Sequence, residues 1–264
     1  MEKQNKTAIV TGAGSGFGHE FSRLLAKDGY NLILLDINRV ALQKVKAEIG
    51  TIYKTEIDLL ACDLSKPESI KQFSEFIEDK KIDVLINNAG YGYYGFFYQT
   101  QWLVEENMIY LHILNLSRIT KIVIQKMEKG GSGQIMNVSS IAAFQPGPLM
   151  SVYYASKAYI LNFSLALSNE MKGTGVSITT FCPGQTRTNF QQHVAIQSNA
   201  KVSKSERFMA DLEKAARYGY NAMLKGKPLA IPGITNKLIA ILNRFLPYSI
   251  TLALVRKLQE NVRK

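Results

Sequence analysis

The 264-residue sequence predicts an α/β fold, a single-domain, Rossmann-type doubly wound parallel sheet with helices on both faces. Three observations carry that expectation. Short apolar runs alternate with segments of helical period from Lys6 to about Gly233. A glycine-rich turn stands directly between the first run and the first helical segment. No linker, internal repeat or low-complexity stretch interrupts the series, so residues 1–264 read as one domain, with a core over 5–233 and a basic amphipathic extension over 234–264.

In order, Lys6–Thr11 is a β-type run, followed at once by Thr11-Gly-Ala-Gly-Ser-Gly-Phe-Gly18. A helical pattern through Phe21, Leu24 and Leu25 stops near Gly29, and the apolar run NLILLD ends in Asp36. Strand, glycine turn, helix, strand and acid is the context a dinucleotide fingerprint requires. Gly12, Gly16 and Gly18 let backbone approach a pyrophosphate, with Ser15 and Phe17 in the same turn, and the helix N-terminus attracts the anion. Asp36 is placed to accept from the adenosine ribose hydroxyls, or to cap the ALQKVKAEI helix that follows.

The alternation continues with a strand near Ile57–Cys62 leading to Asp63, then a helix over about Pro67–Lys80. The strand DVLIN ends in Asn87-Asn88-Ala89-Gly90, and a long helical stretch covers about Gln101–Glu128. The strand QIMNVSS leads to a helix running to about Lys172. The strand VSITTFC ends at Pro183-Gly184. An irregular basic segment over about Thr188–Ser205, a helix to Lys225 and the apolar PLAIPG complete the core.

Residues 137–157, NVSSIAAFQPGPLMSVYYASK, hold the chemistry. Tyr153 and Lys157 stand four apart on one helix, so phenol and ammonium share a face. A nearby cation favours phenolate and is expected to lower the tyrosine pKa towards working pH, which makes a general acid/base. A hydroxyl at the end of the preceding strand then holds a carbonyl oxygen beside the phenol.

Bulk properties narrow the class. The net charge of +11 is concentrated at the end of the chain, where residues 201–264 carry 13 Lys/Arg against 4 Asp/Glu. No nucleic-acid-binding motif accompanies it. Cys62 and Cys182 lie in apolar runs and read as reduced core residues, so a cytoplasmic setting is expected. The N-terminus enters a strand without a signal-like segment, and no run is long and apolar enough for a membrane span. His19, His112 and His193 show no ligand spacing, so no metal site is expected and each reads as structural or exposed.

TGAGSGFG at 11–18, NNAG at 87–90, a serine thirteen residues before YxxxK, and PG at 183–184 together resemble the short-chain dehydrogenase/reductase family over roughly residues 5–190. The resemblance implies hydride transfer between a nicotinamide cofactor and a carbonyl or secondary alcohol. It implies Ser140 as the hydroxyl that holds the substrate oxygen, with Ser139 the alternative. It implies Tyr153 as the proton donor or acceptor, and Lys157 as the group that depresses the phenol and binds the nicotinamide ribose. Asn115 completes the site in that pattern by kinking its helix and ordering a water behind the lysine; a satisfied polar residue in a buried helix is the other reading. Asp63 and Leu64 would contact adenine, Asn88, Ala89 and Gly90 would flank the adenine ribose and sheet centre, and Pro183, Gly184, Thr186 and Thr188 would lie by the nicotinamide. Thr186 stands where the family usually has a hydrophobic residue. NADP-preferring members place a base after the acid or inside the loop; Ile37, Ala13, Ser15 and Phe17 stand there instead, with Arg39 the only nearby cation, so NAD is favoured over NADP.

The segments expected to face the substrate are aromatic, including Tyr91, Tyr93 and Phe190, with Gln145 a polar contact. They favour a bulky hydrophobic substrate such as a hydroxysteroid or bile acid. A 3-ketoacyl reductase and a non-catalytic dinucleotide sensor are the alternatives. The tail beyond Gly233 reads as two amphipathic pieces broken at Pro247, a flap over the substrate mouth or a subunit contact, with a peripheral membrane contact as the alternative. The family's habit implies a homodimer or homotetramer.

Overall fold

A computed structural model describes residues 6–186 and 210–263. Seven parallel strands form one sheet: β1 (Thr7–Thr11), β2 (Asn31–Asp36), β3 (Ile57–Ala61), β4 (Val84–Asn87), β5 (Gly133–Val138), β6 (Val176–Phe181) and β7 (Leu229–Ala230). Their order is β3-β2-β1-β4-β5-β6-β7. Winding reverses between β1 and β4, which opens a crevice at the carboxyl ends of these strands. The helices are α1 (Gly16–Lys27), α2 (Arg39–Ile52), α3 (Ser69–Phe76), α4 (Trp102–Ile109), α5 (Leu116–Lys129), α6 (Ser151–Glu170), α7 (Leu212–Leu224), α8 (Ile234–Leu242) and α9 (Tyr248–Arg263).

Strands buried on both faces explain the unbroken apolar runs. In β2, period-two alternation sends Leu32 and Leu34 into one core with Phe21, Leu42 and Phe181. Ile33 and Leu35 enter the opposite core with Phe73, Ile119 and Val123. Buried amides tie sheet to helices: Asn87 Nδ2 donates to Asn137 Oδ1 at 2.8 Å and Thr120 Oγ1 at 3.0 Å, and Asn137 Nδ2 donates to Ser164 Oγ at 2.9 Å.

Several boundaries differ from the sequence expectation. Helix α3 is shorter than 67–80 because the Ser69 hydroxyl donates to Lys66 O and closes a turn ahead of it. The stretch after Gln101 is not uniform: Tyr110–Asn115 forms a π-helical turn between α4 and α5. Helix α7 starts at Leu212, where Asp211 accepts from Lys214 N; the expected start near Ser205 lies outside the described residues. Thr186 and Ala210 form an isolated parallel bridge, so both ends of residues 187–209 are held side by side.

Candidate active site

The glycine turn fits a dinucleotide by its close packing. Gly12 has φ +64°, and a Cβ there would stand 2.8 Å from Ala89 Cα. At Gly18 a Cβ would lie 2.0 Å from Gly12 O, so backbone here passes where no side chain fits. Ser15 is the extended N-cap of α1 and makes no side-chain capping bond, and the first turn holds no acid. These free amides suit a pyrophosphate. Asn88 Nδ2 donates to Thr11 O and Gly12 O, while Asn88 N and Ala89 N both donate to Thr11 Oγ1 at 3.0 Å. The NNAG strand end is thereby pinned to the glycine turn.

Asp36 is held, not free. Its Oδ2 accepts from Gly14 N and its Oδ1 from Asn38 N, each at 2.9 Å. The cap of α2 is Asn38, whose side chain accepts from Ala41 N, so the capping reading of Asp36 gives way. Asp63 Oδ1 accepts from both the amide and the hydroxyl of Ser65. Leu64 and Ala89 line a small cavity with Thr11, Asn87, Leu111, Leu116 and Ile119.

At the end of β5, Ser139 and Ser140 diverge. Ser139 Oγ is buried and donates to Lys157 O at 2.7 Å, which ties strand to helix. Ser140 caps a short 3-10 turn by accepting from Ala142 N, and its hydroxyl reaches the Tyr153 phenol. Lys157 Nζ donates to Val138 O at 3.0 Å and stands 5.8 Å from the centre of the Tyr153 ring. Ser140, Tyr153 and Lys157 therefore converge, with Gly90 beside the lysine. Desolvation dominates the electrostatics. Burial drives the Lys157 ammonium down to about 8 and pushes the Tyr153 phenol up, against the smaller opposing effect of the Ser140 hydrogen bond. The expected depression of the phenol is thus overturned: the ammonium is drawn to a carbonyl and is itself poorly solvated.

Asn115 ends the π turn, and its side chain is engaged by the turn that follows β3. Nδ2 donates to Leu64 O and Lys66 O, both at 2.9 Å, and Oδ1 is buried without a partner among the described residues. It organises the Asp63–Lys66 turn. His112, read from sequence as structural or exposed, lies inside the site. It is fully buried, its ring lies 6.1 Å from that of Tyr153, and Nδ1 stands 2.8 Å from Ser156 Oγ. Burial, then the nearby Lys157 charge, holds it well below the usual histidine range. The i, i+3 spacing from His112 to Asn115 was the available signal, but only the π turn brings the ring to α6.

The aromatic segment after Gly90 satisfies itself. Tyr91 OH donates to Val104 O at 2.8 Å, and the nearly buried Tyr93 accepts from Gln101 N at 3.4 Å. Gln145 Oε1 accepts from Asn243 Nδ2 of the tail, so this side chain latches the site to the tail. Gly184 packs against Asn236 of α8, Pro183 O accepts from Ile141 N, and Thr186 Oγ1 donates to Gly184 O. Thr188 and Phe190 lie outside the described residues. No grouping of three His, Cys, Asp or Glu side chains fit to hold a metal occurs among the described residues.

Residues 6–199 match the family model described as short chain dehydrogenase. The chain is 30% identical over 209 residues to 17-beta-hydroxysteroid dehydrogenase type 3 of Mus musculus, covering 78% of this chain and 67% of that protein. It is 31% identical over 185 residues to very-long-chain 3-oxoacyl-CoA reductase-A of Danio rerio, covering 69% of this chain and 58% of the relative. Among solved structures, a short-chain dehydrogenase from Sphingobium yanoikuyae in complex with NADPH superposes with a TM-score of 0.82 at 25% identity, over 91% of this chain and 93% of that one. The matched family, the parallel sheet and the glycine turn agree: the chain belongs to the short-chain dehydrogenase/reductase family of NAD(P)-dependent oxidoreductases acting on CH–OH groups.

Proposed function

We propose that this enzyme interconverts a bulky hydrophobic ketone and its secondary alcohol, using NAD in preference to NADP. The observation that carries the reading is the meeting of Ser140, Tyr153 and Lys157 beside Gly90 at the mouth of the crevice. The nicotinamide supplies or takes the hydride when bound. Ser140 holds the carbonyl oxygen, and Tyr153, neutral because burial raises its pKa, delivers the proton to that oxygen. Lys157 supplies positive charge behind the phenol and a donor to the nicotinamide ribose.

A carboxylate fixed by Gly14 N and Asn38 N meets the adenosine ribose as an acceptor and repels a 2′-phosphate. Arg39, the nearest cation, is exposed at the start of α2. The bulky substrate is supported by two lines. Ala142, Met150, Tyr154 and Val255 make an apolar cluster against Tyr153, and the relatives are named for hydroxysteroids and very-long-chain 3-oxoacyl-CoA. Scanning 17-ketosteroids, 7-keto bile acids and 3-oxoacyl thioesters with NADH and NADPH at 340 nm separates the classes. Faster turnover of the thioesters would move the reading to an acyl-chain reductase. Retained turnover in Tyr153→Phe would overturn the mechanism.

The tail supports a flap whose outer side meets an anionic membrane. Asn243 and Gln259 point inward, to Gln145 and Tyr154. Ile234, Leu238, Ile241, Leu242 and Phe245 are exposed on α8 and just beyond it, and Ile250, Leu254 and Leu258 are exposed on α9. Their spacing makes outward apolar stripes, with Lys237, Arg244 and Lys257 exposed among them. An isologous contact through this face would set like charges together, which favours lipid over a second copy there. Subunit contact is better supported on the outer faces of the π turn and α6, where Leu114 and Tyr159 are exposed. No helix among the described residues is long and apolar enough to cross a membrane. A cytoplasmic enzyme working at a membrane surface fits these features.

A further inference from the structure

We infer that His112 is a positioning residue for the reaction proposed above, a neutral bracket that fixes the catalytic helix α6 against the Gly90–Tyr91 turn. The inference rests on that reading of Tyr153. A chain of three hydrogen bonds passes through the imidazole, which makes two of them directly. Tyr91 N donates to Nε2 at 3.3 Å, Nδ1 meets Ser156 Oγ at 2.8 Å, and Ser156 Oγ donates to Tyr153 O at 2.8 Å. Counting protons leaves one arrangement. The single Ser156 hydrogen goes to the Tyr153 carbonyl, so Ser156 Oγ accepts from Nδ1–H, and Nε2 is the bare nitrogen that Tyr91 N–H requires. An imidazolium would set Nε2–H against Tyr91 N–H, donor against donor.

The ring has no room to move. A Cβ on Gly90 would stand 2.6 Å from His112 Nε2 and 3.5 Å from Lys157 Nζ, so imidazole, turn backbone and ammonium share one small space. The groups that face the imidazole are Lys157, Tyr153 and Ser156 from α6 and Tyr91 from the turn. Positive charge on the ring would fall beside the Lys157 ammonium. The bracket therefore sets the height of the Tyr153 backbone relative to the turn that borders the cofactor crevice, and it does so without changing charge. Catalysis is steep in such placements, since a displacement of about 1 Å costs on the order of a hundredfold.

The two arms separate by substitution. His112→Asn keeps a donor for Ser156 and loses the Tyr91 acceptor; His112→Gln keeps the acceptor and loses the donor; His112→Leu removes both. With a 17-ketosteroid as probe, His112→Leu is expected to lower kcat about tenfold or more per NADH-binding site, with cofactor affinity little changed. Ser156→Ala is expected to cause a loss of the same order, and the His112→Leu/Ser156→Ala pair no more than the larger single loss. His112→Asn is expected to recover most of the activity if the Ser156 arm dominates, and His112→Gln if the Tyr91 arm dominates. Unchanged kcat in His112→Leu, or additive losses in the pair, would overturn the inference. Long-range 1H–15N spectra of the wild-type protein give a test that needs no substrate. One imidazole is expected in the Nδ1–H tautomer throughout pH 5–9 and to vanish in His112→Asn; a titrating or Nε2–H imidazole at that position would overturn the bracket. If the 17-ketosteroid is not turned over while this spectrum is as expected, the fault lies with the substrate reading and not with the bracket.

Discussion

Gln259 Nε2 donates to the Tyr154 hydroxyl at 2.7 Å across 105 residues of sequence, in a buried contact between α9 and the helix that carries Tyr153. Tyr154 itself packs face-on against Gly147, where a Cβ would come within 2.1 Å of its ring. The tyrosine beside the proposed acid is thus the anchor of the C-terminal flap. Gln259→Leu removes this buried hydrogen bond at a cost of about 1 kcal/mol. The expected result is faster tryptic cleavage at Arg256 and Lys257. Unchanged cleavage would show that the flap does not hang on this contact.

Lys157 carries a stability penalty whose sign follows from its lowered pKa. Folded, it titrates near 8 against 10.5 for a solvated lysine, so between these values the unfolded chain binds more protons. Stability therefore rises with pH across that window, and below about 8 the whole penalty applies, on the order of 3 kcal/mol. Lys157→Met is expected to melt several degrees higher than wild type at pH 7, with the advantage gone above pH 10.5. The same variant is expected to lose about a thousandfold in kcat. Differential scanning calorimetry across pH 6–11 checks the first claim, and an equal melting difference at both ends would refute it.

Asp36 is expected to set cofactor choice through a charge held in place. Asp36→Ala removes the acceptor for Gly14 N and the repulsion of a 2′-phosphate together. NADH kcat/KM is expected to fall about tenfold or more, as for loss of a hydrogen bond to a charged group, while NADPH kcat/KM rises. A wild-type preference for NADPH would reverse the reading.

The outward stripes of the tail predict binding to anionic lipid. The Leu238→Asp/Leu254→Asp variant is expected to lose co-sedimentation with phosphatidylcholine vesicles containing phosphatidylserine, since each exposed leucine contributes about 1.5–3 kcal/mol when buried. Turnover of a soluble ketone is expected to persist. Wild type that ignores such vesicles, or that dissociates from an oligomer when these leucines are changed, would assign the face to another copy of the chain.

The sheet was legible because its strands are buried on both sides, and runs such as NLILLD have no other reading beside a glycine turn. The shared face of Tyr153 and Lys157 was legible because four residues on a helix fix a face, whereas Ser140 was marked out only by the family resemblance. What escaped was non-local. His112 lies in the wide turn at Tyr110–Asn115 and meets Ser156 of α6, and no periodicity rule encodes a π turn. The phenol pKa escaped because i, i+4 spacing reports proximity of a cation but not the desolvation of both partners. Tyr91, Tyr93 and Gln145 looked available because sequence does not reveal that Val104, Gln101 and Asn243 already engage them.

Thr186 pairs with Ala210, and Ala210 N donates to Gln185 O at 3.0 Å, a clasp that holds the end of the Pro183–Gly184 turn against the residues just before α7. Through this clasp the start of α7 is coupled to the Pro183–Gly184 turn, so a displacement of Ala210 would be passed to the strand end beside the site.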